Sequence, residues 1–109
     1  MPVKYEFSGC AKVCRDGFTI TRTWQGDMCN MKEIIPNTKL IIHVPSNENY
    51  FVEYNSENGF TVRKIFELIN QTWLNYTDKY CNGNDDIFSD MDIHGFKLKD
   101  CDVHTIYST

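Results

Sequence analysis

Two periods of hydrophobic and polar residues divide the chain. Val3, Tyr5 and Phe7 alternate with polar neighbours, and Phe18, Ile20, Arg22 and Trp24 alternate with Thr19, Thr21 and Thr23. A period of two puts successive side chains on opposite faces, so each run predicts a half-buried strand. Asp16-Gly17 between them is a hairpin-turn dipeptide. Gly26 to Pro36 reads as a connection whose Met28, Met31, Ile34 and Ile35 cover an edge of the core. From Lys39 to Val44 the alternation returns, with Leu40, Ile42 and Val44 on one face and Ile41 and His43 on the other. Pro45-Ser46-Asn47-Glu48-Asn49 is turn chemistry, and Tyr50, Val52 and Tyr54 then alternate with Phe51 and Glu53. These two runs predict an antiparallel hairpin.

The period changes after Phe60. Val62, Ile65, Phe66, Ile69, Trp73, Tyr76 and Tyr80 follow helical spacing, with Leu68 and Leu74 on the flanks. Thr61 is placed to cap this helix through its hydroxyl, and Phe60 and Ile65 occupy the two positions of a hydrophobic staple. Cys81-Asn82-Gly83-Asn84 ends it with residues that tolerate positive φ. The spacing predicts one helix over 62–80, about five turns. Beyond an acidic turn over 85–92, His94 to Lys99 and Val103 to Tyr107 read as short strands joined at Asp100-Cys101-Asp102. The expectation is an α+β single domain spanning 1–109: a mainly antiparallel sheet of about five to six strands with the helix packed on one face.

Composition narrows the function classes. With 109 residues there is room for one core. The net charge is −4, which argues against a nucleic-acid coat. The charge is also uneven: residues 1–64 carry eight basic and seven acidic side chains, whereas residues 65–109 carry three and eight. No apolar run has the length of a membrane span, and Met1 to Glu6 lacks the apolar core of a signal peptide. Five cysteines, an odd number, without such a signal point to reduced thiols in a cytosolic compartment. The sequons at Asn70 and Asn75 fall inside the helical stretch and read as accidental.

Each hint of chemistry has a plainer reading beside it. Cys10 and Cys14 are spaced more widely than a zinc knuckle and have no second close pair, so no metal or other cofactor is expected. Asp90, Asp92, His94 and Gly95 copy the opening of a calcium loop, but its fifth position is His94 and its twelfth is Cys101, not Glu. Cys101-Asp102-Val103-His104 contains the residue types of a thiol triad. On a strand, however, Cys101 and His104 point to opposite faces, so no enzyme is expected. Aromatic residues stand near cations at Tyr5 with Lys4, Trp24 with Arg22, and Phe66 with Arg63 and Lys64. Ordinary core and rim positions account for them. Arg63 and Lys64 oppose the helix dipole in the first turn, which invites a compensating acid. Glu53 on the neighbouring strand is the intramolecular candidate, and a second subunit or another protein is the other. Tyr50, Tyr54 and Trp24 complete the set of candidate contact residues.

Phe60-Thr61-Val62-Arg63-Lys64-Ile65-Phe66-Glu67-Leu68-Ile69 resembles the strand-to-helix start of a group of fungal domains without an agreed activity, and His94-Gly95-Phe96-Lys97-Leu98 echoes their C-terminal strand. The length and the Asn-, Asp-, Lys- and Ile-rich composition of the chain resemble small proteins of giant DNA viruses of amoebae, the marseillevirus group in particular. That resemblance implies a protein packaged in the virion, or held in the viral factory of the host cytoplasm, that acts through contacts with itself as a homodimer and with other virion or host proteins. An adaptor that recruits a host factor is the alternative. The resemblance transfers no catalytic residue.

Overall fold

The computed structural model describes residues 5–11, 20–21, 32–45, 47–82 and 92–108. Among them the elements run β1 (Tyr5–Ala11), β2 (Ile20–Thr21), β3 (Ile34–Ile35), β4 (Lys39–Val44), β5 (Asn47–Asn55), β6 (Phe60–Thr61), α1 (Val62–Tyr80), β7 (Asp92–Lys99) and β8 (Asp102–Ser108). Six strands form one sheet in the order β2-β1-β7-β8-β4-β5, and β3 and β6 form a small ribbon. The fold is α+β as expected. All pairings are antiparallel except β4 with β8, where Ile41 and Ile42 run alongside Asp102 and Val103.

The local signals at the helix start hold. The Thr61 hydroxyl accepts from the Lys64 amide at 3.1 Å. Phe60 and Ile65, the staple pair, are both buried. At the other end the Cys81 amide donates to the Thr77 carbonyl, and Asn82 takes the left-handed conformation, with φ of 52°. The apolar stripe lies on the sheet, where Trp73, Phe66, Ile65 and Ile69 meet Leu40, Ile42, Val44, Phe96, Leu98 and Val103. Phe66 and Phe96 pack edge to face at 5.1 Å between ring centroids. The buried arc is wider than the spacing predicts, because Asn70, Thr72 and Thr77 are also buried. Thr72 and Thr77 satisfy their hydroxyls by donating back to the Leu68 and Leu74 carbonyls, each at 2.7 Å. Tyr80 departs from the stripe: it is 53% exposed.

Several boundaries differ from the pattern. β5 begins at Asn47 and not after Asn49, because the alternation restarts across a register shift between His43 and Val44. β7 begins at Asp92, inside the stretch that reads as an acidic turn, and shifts register at Gly95, whose φ of 150° suits glycine. The turn before β8 is held by Asp100 at φ 55°. Ile34 and Ile35, read as a connection, pair with Thr61 and Phe60. Gly59 makes that pairing fit: at φ 80°, a Cβ there would collide with the Ile35 carbonyl. The Asp16-Gly17 turn and Trp24 lie outside the described residues, as do most of the acidic 85–92 stretch, Cys14 and Cys29.

Candidate interaction surface

Strand alternation decides what the sheet shows on the side away from the helix. Because Leu40, Ile42, Val44, Phe96, Leu98 and Val103 turn toward α1, their neighbours Ile41, His43, Lys97, Asp102 and His104 turn away from it. Register brings three of these positions into one row with Phe51 across four strands, in the order Phe51, His43, His104 and Lys97. The rings touch in sequence. Phe51 and His43 are tilted with centroids 5.8 Å apart, and His43 and His104 are stacked at 4.8 Å with an interplanar angle of 5°. His43 Nε2 and Asp102 Oδ1 are 2.9 Å apart, so the ring N–H donates to the carboxylate and is held in orientation. Phe51, at the end of the row, is 55% exposed.

A depression of about 460 Å³ opens beside this row, lined by His43, Val44, Pro45, His104, Thr105 and Tyr107. It lies where β4 turns back into β5 while β8 runs on. Thr105 Oγ1 is buried at its wall with no hydrogen-bond partner among the described residues. Among those residues no hydroxyl or thiol is hydrogen-bonded to the His43 ring, and the Asp102 carboxylate is its hydrogen-bond partner.

Of the thiol-triad types, Cys101 stands in the turn before β8, the strand that carries Asp102 and His104. Val103 is in the core, Asp102 and His104 sit on the other face, and Asp102 engages His43 rather than His104. Cys81 and Cys101 are half-buried thiols. Among the described residues no three His, Cys, Asp or Glu side chains are grouped to hold a metal. The calcium-loop positions Asp92, His94 and Gly95 belong to strand β7.

Of the contact residues suggested by sequence, Tyr50, Tyr54, Arg63 and Lys64 are described. Tyr50 is half-buried and packs edge-on against Tyr76 at 5.3 Å and Tyr80 at 5.7 Å. Burial pushes its hydroxyl above the ordinary tyrosine value, while nearby Lys79 pulls the other way. Tyr54 reaches the helix, with its hydroxyl 2.9 Å from Thr72 Oγ1. Thr72 has spent its own proton on the Leu68 carbonyl, so Tyr54 is the donor. Arg63 finds its acid on its own helix: its Nε is 3.4 Å from Glu67 Oε1. Glu53 is not that partner, since it lies on the opposite sheet face and accepts from Asn55 Nδ2 at 3.3 Å. Lys64 and Tyr54 share the rim of a second depression of about 590 Å³ beside the helix start. Phe66, which stands near Arg63 and Lys64 in the sequence, is fully buried in the core.

The sequence reading singled out neither His43 nor Asp102 as a pair. They are 59 residues apart, and the parallel pairing of β4 with β8 that joins them leaves no local signal. The face carries a row of rings, but Glu53 and Asp102 share it and oppose a phosphate backbone. Among the described residues no helix is long and apolar enough to cross a membrane. No protein family matches the chain, and neither does any curated protein or solved structure.

Proposed function

We propose that this chain is a protein-contact domain without catalysis of its own, working as a homodimer and carried in the virion of a large DNA virus or held in its cytoplasmic factory. One observation supports the contact role above the others. Large aromatic side chains stand exposed beside a strand at the end of the sheet: Phe51 at 55% on one side of β5, and Tyr80 at 53% next to Tyr50 on the other. Exposed aromatics are common anchors of protein interfaces. The viral assignment rests on the sequence resemblance and on the Asn-, Asp-, Lys- and Ile-rich composition.

A host-directed adaptor is the second reading. The depression lined by Tyr54, Phe60, Leu68 and Lys64 favours it, since an apolar floor with a cationic rim suits a short acidic peptide. Cross-linking mass spectrometry on native particles and on infected-cell lysate separates the two. Links between copies of this chain within particles support the virion homodimer. Links to host proteins alone, with none in particles, overturn it in favour of the adaptor.

A further inference from the structure

The free edge of β5 carries a specific docking geometry. β5 ends the sheet, with β4 on one side of it and no strand on the other among the described residues. The hydrogen bonds fix which of its main-chain groups face outward. The Ser56 amide donates to the Thr38 carbonyl at 2.9 Å, in the same register as Tyr54 with Leu40 and Val52 with Ile42. On the other side of β4, the Ile41 amide donates to the Cys101 carbonyl at 2.8 Å. Val52 and Tyr54 therefore direct their N–H and C=O groups at β4. Phe51, Glu53 and Asn55 direct theirs away from the sheet. The Asn49 amide is already taken by Asn47 Oδ1 at 3.0 Å.

This edge has little of the usual protection against pairing. Asn47–Asn55 contains no proline and no lysine, and from Phe51 to Asn55 its pairing with β4 is regular. Building on the homodimer reading above, we infer that the outer edge of β5 pairs antiparallel with β5 of a second copy of this chain, about a two-fold axis at Val52. In that register Phe51 exchanges both main-chain hydrogen bonds with Glu53 of the partner subunit, and the symmetric pair repeats it. On the helix side Val52 meets its own copy, with Tyr50 set against Tyr54 of the partner subunit.

The neighbouring registers are worse. Moving the axis to Glu53 sets two carboxylates directly opposite each other. With the axis at Phe51, every hydrogen-bonded pair beyond the central one calls on the Asn49 amide, which is occupied, so one such pair forms where the Val52 register forms two. An isologous contact of this kind makes one continuous sheet through both subunits.

Two measurements on the full chain test the inference. Sedimentation velocity on Phe51→Pro removes one outward amide while leaving the bonds to β4. The expected result is a dimer dissociation constant raised by at least about tenfold, with circular dichroism unchanged. In oxidising conditions Val52→Cys should give a disulfide-linked dimer on non-reducing gels that wild type, with its native thiols, does not give. Opposed residues at a non-hydrogen-bonded position bring their Cβ atoms within about 4.5–5.5 Å. A wild-type monomer at micromolar concentration overturns the homodimer reading and the edge with it. A dimer that survives Phe51→Pro and leaves Val52→Cys unlinked overturns the edge alone. Linkage through Glu53→Cys in place of Val52→Cys overturns the register.

Discussion

The two faces of the sheet are made from the same strands and differ in almost everything else. On the helix side, β4 contributes Leu40, Ile42 and Val44, all within 1% of full burial. One residue along, the same strand turns Ile41 and His43 to the other side, where both are only half-buried. The covered face is held by dispersion and the removal of apolar surface from water, which act wherever atoms are close-packed. The open face is organised by directional contacts, an aligned His43–Asp102 pair and a run of rings, which give little stability in water. Stability and presentation are thus divided between the faces.

That division predicts a graded series of effects. The largest belongs to Trp73, fully buried on the helix and packed edge-on to Tyr107 at 6.3 Å. Trp73→Ala should cost about 3–5 kcal/mol in urea denaturation, enough to abolish most of the stability of a domain this size. Next comes the rim of the covered face. Tyr54→Phe removes the donor to Thr72 that ties β5 to the helix, and should lower stability by about 1 kcal/mol in the same assay. On the open face Asp102→Asn keeps an acceptor for His43, and should shift stability by less than about 0.5 kcal/mol. A cost from Asp102→Asn as large as that from Tyr54→Phe would erase the contrast between the faces.

The smallest effect concerns pH. The folded chain holds the Tyr50 proton more tightly than the unfolded chain does, because burial disfavours the phenolate. Its contribution is complete below the ordinary tyrosine value of 10.0 and is lost as pH rises through the higher folded value. Melting temperatures followed into the alkaline range should fall, and Tyr50→Phe should remove that part of the fall.

The helix and the hairpin of β4 with β5 were legible because their signals are local. Thr61 caps an amide three residues away, and Leu40, Ile42 and Val44 alternate within one strand. The start of β5 was missed because Asn47-Glu48-Asn49 has turn composition, yet extends once β4 supplies a partner. Ile34-Ile35 was missed because two residues show no period, and their pairing exists only where Gly59 lets the chains approach. Tyr50 and Tyr54 stood out in sequence as contact residues. Tyr54 in fact buries its hydroxyl against the helix, while Phe51 between them carries the exposure.

Sequence by itself determined the α+β class, the span and capping of α1, and which side of β4 is apolar, since all three depend on neighbours a few residues apart. Only the tertiary structure decided the strand order, the parallel meeting of β4 with β8 that brings His43 to Asp102, and the placing of β5 at the sheet edge. Those features depend on which distant strands share hydrogen bonds. That choice is made by how the whole apolar surface is best buried, and no short stretch of the chain encodes it.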